Sequence, residues 1–170
     1  TDTVSQLVVV NASVIDAGPD TTVCGPSATI TLTADGGGTA TQFQWSSNIL
    51  FTDQLNASLS DSTATVTVTA SSVFFVRPLG GDCGGYDSVI VYVELLSPTL
   101  TGDSLICADE VAVLTLSNVV PGSQITWGPP GMIDSGQGTT TATVSPAITS
   151  PFTADVVSPA GCTWSGAITV

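Results

Sequence analysis

Apolar and polar residues alternate along several short stretches of this chain. The clearest stretch is 63–70, where Ala or Val occupies every second position and Thr occupies the positions between them. Successive side chains of a strand point to opposite faces, so this stretch predicts a β-strand with one apolar and one polar face. Similar strand-like stretches, separated by turns rich in Gly, Pro, Asp and Ser, lie at 28–33, 42–45, 73–76, 87–93, 111–116, 125–127, 139–145 and 152–156. The pattern predicts an all-β protein.

The strand pattern occurs twice, each time around a Cys, a Trp and a second Cys. These residues are Cys24, Trp45 and Cys83, and then Cys107, Trp127 and Cys162. The first Cys precedes the Trp by 21 and 20 residues, and the second Cys follows it by 38 and 35. We therefore predict two domains, at 14–95 and 96–170. Residues 1–13 resemble the last strand of the first domain, so we expect them to close a preceding module of a longer array.

The number of strands and the position of each Trp favour a particular sandwich. About seven short strands per module, with a Trp between two cysteines, are typical of an immunoglobulin-like Greek-key β-sandwich. Alternation places Phe43 and Trp45 on the inward face of one module and Ile125 and Trp127 on that of the other, so we expect core packing rather than sugar stacking. Trp164 lies on the same side of its strand as the residues predicted to face inward, so we expect it in the core. The alternative is that Trp164 is an exposed contact residue.

The four cysteines occupy repeated positions, and an even number in such positions predicts disulfides. We predict one bridge in each module, Cys24–Cys83 and Cys107–Cys162. The rival is a metal site, but the chain has no His and no Cys-x-x-Cys pair, so zinc has few ligands to use. Closing a loop of about 60 residues stabilises a small domain by roughly 4 kcal/mol. Persistent disulfides indicate an extracellular or cell-surface location.

The charge balance excludes some partners. The chain has 14 acidic residues, one cation (Arg77) and a net charge of −13. Such a surface repels nucleic acid and anionic lipid, so we predict neither as a partner, and no apolar run long enough for membrane insertion is present. We expect Arg77 to pair with an Asp. Carboxylates near the predicted module ends, Asp16, Asp20 and Asp103, are candidate Ca²⁺ ligands, with solvated turns as the alternative; no other cofactor is predicted.

Two short motifs resemble catalytic ones. Residues 81–85, around Cys83, are similar to the nucleophile loop of chymotrypsin-like cysteine proteases, but a thiol nucleophile of that class needs a His and this chain has none. Residues 134–136 match half of an aspartic-protease dyad, which requires two carboxylates sharing a proton. Only one copy of the motif exists. We therefore predict that the protein is not an enzyme.

One longer resemblance covers nearly the whole chain. Residues 15–24 (IDAGPDTTVC), a Trp strand, a Val-Thr-Val-Thr strand, a late Cys and residues 87–93 (DSVIVYV) resemble the Ig-like/PKD-like repeats of large secreted surface proteins of Bacteroidota. The second module lacks the Asp-Ala-Gly-Pro phrase and matches more loosely. The resemblance implies export by the type IX pathway, a role in adhesin stalks or fibres, and O-glycan acceptors at Asp-Ser/Thr-apolar triplets, here Thr3, Thr21, Ser62, Ser88 and Ser104.

These observations favour a structural function over two others. We predict tandem repeat modules that serve as rigid, disulfide-bonded spacers in an extracellular fibre or adhesin stalk, with neighbouring modules as partners. Consecutive Phe74 and Phe75 cannot both point inward, so one of them is a candidate contact for assembly into a homo-oligomer or filament. The alternative is a module that binds a carbohydrate or cell-surface ligand through the loop at 46–61 or through Trp164. A third hypothesis is an accessory domain of a secreted hydrolase.

Overall fold

The computed structural model describes residues 14–80, 85–108 and 110–170. These residues form fourteen β-strands and one short 3-10 turn at Pro130–Met132. They belong to two compact units, the first ending at Val93 and the second spanning Glu94–Val170. The prediction of an all-β fold is confirmed. The predicted closing strand at 1–13 lies outside the described residues.

The first unit is built from two sheets and a short strand pair. Strands β2, β8, β7 and β5 are neighbours in that order in one sheet, β3 pairs with β6 in the other, and β1 pairs with β4. The strands are β1 Ile15–Asp16, β2 Thr21–Cys24, β3 Ala28–Thr33, β4 Asp35–Gly36, β5 Gln42–Ser46, β6 Thr63–Val68, β7 Ser72–Leu79 and β8 Asp87–Glu94.

The β3–β6 pair shows how the sequence pattern becomes a core face. Ile30 lies opposite Val66 and Leu32 opposite Ala64, so the apolar residues of both strands share one side. On the other side the Thr29 and Thr67 hydroxyls are 2.9 Å apart. Because register errors of one residue would turn the apolar face outward, this alternation fixes the strand register.

The second unit has three strands in each sheet. One sheet has the order β9, β10, β12, and the other has the order β11, β13, β14. The strands are β9 Thr99–Gly102, β10 Ala112–Ser117, β11 Gln124–Gly128, β12 Thr141–Val144, β13 Pro151–Val157 and β14 Thr163–Thr169. All pairings within these two sheets are antiparallel.

Each unit has its own hydrophobic core around one tryptophan. Trp45 and Trp127 are both fully buried, with 0% of the side chain exposed. Phe43 packs against the first core and Ile125 against the second, and both are half-buried. Two sheets that enclose a core Trp in each unit agree with the predicted immunoglobulin-like sandwich. Within the described ranges, no helix has the length and hydrophobicity that a membrane crossing requires.

Candidate functional site

The long loop after β5 is fixed to the sheet by a buried amide. Asn56 is only 3% exposed. Its Oδ1 accepts the Trp45 backbone N–H at 3.1 Å, and its Nδ2 donates to the Phe43 carbonyl at 2.9 Å and to the Asp61 carbonyl at 3.2 Å. The side chain therefore satisfies the edge of β5 as a neighbouring strand would.

In the second module, a different side-chain amide forms the equivalent hydrogen bonds with the backbone of the Trp strand. Gln137 Oε1 accepts the Trp127 N–H at 2.6 Å, and its Nε2 donates to the Trp127 carbonyl at 2.8 Å. The two indole N–H groups also have equivalent partners in the two modules. Trp45 donates to the Ser62 carbonyl at 2.9 Å, and Trp127 donates to the Thr139 carbonyl at 2.8 Å. No periodicity in the sequence marks these amide side chains, so their contacts are not predictable from it.

One carboxylate of the same loop, Asp53, is the centre of a hydrogen-bonded cluster. The Asp53 carboxylate accepts hydrogen bonds from the Ser46 hydroxyl, from the Ser47 hydroxyl at 2.8 Å and from the Asn48 amide at 3.0 Å. The Ser46 hydroxyl first, and then the hydroxyl and backbone N–H of Ser47, hold the pKa of Asp53 below its ordinary value, although desolvation acts in the opposite direction. The cluster ties the loop to the end of β5.

Arg77, the lone cation, has neutral partners. Its Nε and Nη2 donate to Gln44 Oε1 at 3.1 and 2.7 Å, and its guanidinium carbon lies 4.4 Å from the centre of the Phe51 ring. Gln44 in turn donates to the Asp53 carbonyl at 2.8 Å. Among the described residues its partners are Gln44 and Phe51, and neither is a carboxylate, so the expected pairing with an Asp stays a prediction.

Arg77 forms one wall of a surface recess of about 390 Å³. The other walls include Phe51 and Tyr86, whose rings meet edge to face with centres 6.3 Å apart. Phe51 has a φ of 52°, in the left-handed region that bulky side chains rarely adopt. Tyr86 is 54% exposed. A cation beside aromatic faces can hold a sugar ring or a carboxylate, and this recess is the candidate ligand site of the first module.

The predicted contact residues divide between core and surface. Phe74 is buried in the first core, whereas Phe75 is half-buried on the opposite face, with its ring centre 6.3 Å from that of Tyr86. Trp164 on β14 is half-buried and packs against the second core. Its indole covers Gly166, where an added Cβ would lie 2.3 Å from the ring. Phe75 is therefore the phenylalanine of this pair that faces outward.

The three carboxylates that are candidate Ca²⁺ ligands each accept a backbone N–H group. Asp16 accepts from Gly18 at 2.8 Å, Asp20 from Ile90 at 2.7 Å and Asp103 from Val113 at 3.3 Å. Across residues 14–80, 85–108 and 110–170, no three His, Cys, Asp or Glu side chains form a group that could hold a metal ion. The structure thus assigns these three residues to turns and strand edges.

The cysteines correct the predicted disulfides. Cys107 is exposed and is a free thiol. Cys24 and Cys162 are each disulfide-bonded, and Cys83 lies outside the described residues. Because Cys162 is bonded while Cys107 is free, the predicted set of one bridge closing each module is wrong. The physical reason is position: Cys162 immediately precedes β14, whereas Cys107 borders a recess with Val170, just beyond the other end of that strand.

The O-glycan acceptors stay predictions. Thr21, Ser88 and Ser104 are exposed, while Ser62 is half-buried and its carbonyl accepts the Trp45 indole N–H. Thr3 lies outside the described residues.

Comparison with known proteins supports the fold alone. No protein-family model matches the sequence, and no curated protein matches it. Among solved structures, the chain is similar to extracellular domains 3–5 of Drosophila OTK, with 10% identity over 89% of this chain and 58% of that one and a TM-score of 0.56. It is also similar to the N-terminal eight Ig domains of Down Syndrome Cell Adhesion Molecule, with 13% identity, 92% and 27% coverage and a TM-score of 0.60.

A fragment of intimin is similar at the same level. The C-terminal 282-residue fragment of intimin, solved with the intimin-binding domain of its translocated receptor, matches with 13% identity and a TM-score of 0.50, over 95% of this chain and 64% of that fragment. The chain spans less than two thirds of each of these three structures. At such identities the likeness establishes an immunoglobulin-like fold.

Proposed function

We propose that this chain is an extracellular structural or adhesion segment made of two tandem immunoglobulin-like modules. The carrying observation is that two repeats of one sequence pattern each fold around a separate core with a buried Trp. Disulfide-bonded cysteines fit an oxidising location outside the cell. The finer reading is a spacer in a surface fibre or adhesin stalk of Bacteroidota, exported by the type IX pathway, and the resemblance of residues 15–24 and 87–93 supports it.

The chemical groups of the chain favour a structural role over an enzymatic one. The sequence contains no His, the commonest general base of enzymes. The described carboxylate with a shifted pKa, Asp53, is held by hydroxyl and amide donors that fix a loop. These features support the proposal that the protein is not an enzyme.

Surface labelling of intact cells tests this proposal. An antibody raised against the purified chain is applied to intact and to permeabilised cells of the source organism, with an antibody against a cytoplasmic protein as the control. We expect equal labelling of intact and permeabilised cells, and loss of the signal after protease treatment of intact cells. Labelling that requires permeabilisation would contradict the proposal.

A second candidate function is ligand binding at the recess of the first module. The observation that favours it is the strained Phe51 backbone, which holds an aromatic ring beneath Arg77 and beside an exposed Tyr86. Strained residues that persist in a fold are frequent at binding sites. The chemistry fits a sugar that carries a carboxylate, which would pair with the guanidinium while its ring stacks on the tyrosine.

Binding to a glycan array that includes acidic oligosaccharides tests this second function. We expect Arg77→Gln and Tyr86→Ala to abolish binding, while Tyr92→Ala, which removes another exposed tyrosine on β8, leaves it unchanged. Trp164→Ala is the matched test for the alternative site on the second module. Absence of binding by the wild-type chain would leave the structural function as the sole proposal.

A further inference from the structure

We propose that the outer edge of β6 in the first module, the edge turned away from β3, pairs with the same edge of a second copy of this chain. The two β6 strands (Thr63–Val68) run antiparallel and join two β3–β6 pairs into one four-stranded sheet. The proposal rests on the proposed structural function, to which it adds a lateral contact between copies of an extracellular segment.

The register of β3 and β6 determines which backbone groups face outward. The Ala34 N–H donates to the Ser62 carbonyl at 2.9 Å, and these two residues continue the register of the paired strands. Hydrogen-bonded and non-hydrogen-bonded pairs alternate along an antiparallel ladder. Every second residue counted from Ser62 therefore bonds to β3, while the N–H and C=O groups of Thr63, Thr65 and Thr67 point away from it.

This outer edge is uncovered in the part of the chain that the structure describes. There, β3 is the one strand that pairs with β6, and no hydrogen bond reaches the outward N–H and C=O groups of Thr65 and Thr67. Both threonines are exposed. Natural edge strands prevent pairing with charged residues or Pro, and β6 contains neither. The edge is therefore a template for another strand.

The second module shows what covers the corresponding edge. Its β12 corresponds to β6, since each comes after the Trp strand and pairs with a strand that precedes it. The Asp134 N–H donates to the Thr143 carbonyl of β12 at 2.9 Å, and the Thr143 N–H donates to the Ser135 carbonyl at 3.1 Å. The hydroxyls of Ser135 and Thr143 are 2.7 Å apart, and Thr143 is half-buried. This edge thus accepts an extended backbone that carries a hydroxyl residue opposite the threonine.

A second β6 strand has the composition that such a partner needs. Residues directly opposite each other share a face, so an antiparallel copy places Thr opposite Thr and Ala or Val opposite Ala or Val. The Thr29 and Thr67 hydroxyls, 2.9 Å apart across β3 and β6, already form a pair of this kind. The chain has a net charge of −13, but β6 carries no carboxylate, so two copies meet here without like charges opposite each other. These features favour a second copy as the partner of this edge.

Sedimentation equilibrium of the purified full chain at increasing concentration tests the proposal. We expect a monomer–dimer equilibrium whose dimers are not covalent on a non-reducing gel. Thr65→Pro removes an outward N–H that β3 does not use, and it should raise the dissociation constant of the dimer by about tenfold or more. Thr31→Pro removes an outward N–H at the opposite edge of the same strand pair and is the matched control, with an expected change of about twofold at most. Melting curves verify that both variants fold.

A charge variant keeps the proposal testable where Thr65→Pro does not fold. Thr65→Asp places carboxylates close together across the two β6 strands, whereas Thr31→Asp adds the same charge one strand away. We expect Thr65→Asp to weaken dimerisation by about tenfold or more, and Thr31→Asp by about twofold at most.

Several results would overturn the proposal. They are a chain that stays monomeric up to about 1 mM, dimers that both Thr65 variants leave unchanged, and equal losses in the Thr31 controls. Val8→Pro tests a different occupant, the strand-like residues 4–10, and a dimer lost in this variant would assign the pairing to that segment instead. Surface labelling of cells does not depend on any of these results, so the two proposals fail separately.

Discussion

The side-chain amides of Asn56, which is buried, and of Gln137, which is exposed, satisfy the backbone of the two tryptophan strands. Removing Asn56 leaves the Trp45 N–H and two carbonyls without their partners in a site closed to water. We expect Asn56→Ala to lower the free energy of unfolding of the first module by about 1–3 kcal/mol, the usual cost of unsatisfied buried groups. Urea denaturation measures it, with Gln42→Ala on the exposed side of β5 as the control. Equal stability of Asn56→Ala and wild type would contradict this role.

The ionised Asp53 carboxylate should contribute stability that depends on pH. Its pKa is lowered in the folded state, mainly by the Ser46 hydroxyl. A lowered folded pKa gives stability that is present above the unfolded value of about 3.9 and is lost as the pH falls through the folded value. We expect Asp53→Asn to be less stable than wild type at pH 7, and the difference to shrink as the pH falls below about 4. Melting curves across pH 2–7 test this, with Asp35→Asn as the exposed control; a constant difference would contradict it.

Single residues also show the limits of sequence analysis. Parity along a strand was sufficient to place Trp45 and Trp127 inward, because neighbours two positions apart share a face. The amide contacts join Trp45 to Asn56, 11 positions apart, and Trp127 to Gln137, 10 positions apart. Because the loops between them are unrelated, no local sequence pattern predicts these contacts. Cysteine spacing likewise gives no information on which end of the sandwich each thiol occupies. That is why an even count and a clear repeat still led to the wrong bridges.

At the scale of elements, strand β14 shows packing that alternation alone does not provide. Its residues alternate between exposed and half-buried, so its inward face is never fully buried, and the Trp164 indole lies across Gly166. By contrast, β6 alternates cleanly between exposed Thr and buried Ala or Val, as the sequence predicts. In a strand with one solvent-exposed face, the alternation of polar and apolar residues predicts which side chains are buried. In a strand such as β14, a large side chain also lies along the strand, and this requires a small residue beneath it.

Gly166→Ala tests the arrangement on β14. The added Cβ would lie 2.3 Å from the indole, so the ring must move away from the strand. We expect a red-shifted fluorescence emission and a loss of about 1–3 kcal/mol from the stability of the second module, as for an overpacked site. Gly131→Ala, where a Cβ meets open space, is the matched control. The shift should vanish in a Trp164→Phe background, and a shift that persists there would contradict the assignment to Trp164.

For the whole molecule, the repeat was the most informative feature of the sequence. Because each copy carries its own Trp, alternating strands and turns, the repeat predicts two sandwiches. The structure contains two compact units, and their boundary along the sequence falls between Val93 and Glu94. Function is less accessible, since the fold supports many roles and the recess at Arg77 is lined by residues scattered between 49 and 86.

Net charge sets a property that no single residue or strand explains. With 14 carboxylates against one cation, the folded chain at neutral pH repels itself, and added salt screens this repulsion by shortening the Debye length from about 30 Å at 0.01 M to about 8 Å at 0.15 M. We therefore expect the melting temperature to rise by a few degrees over this range of NaCl, measured by calorimetry. A protein held by surface ion pairs would lose stability instead. CaCl₂ at matched ionic strength separates screening from binding: the same rise indicates screening alone, whereas a larger rise would favour Ca²⁺ at carboxylates such as Asp16 and Asp20.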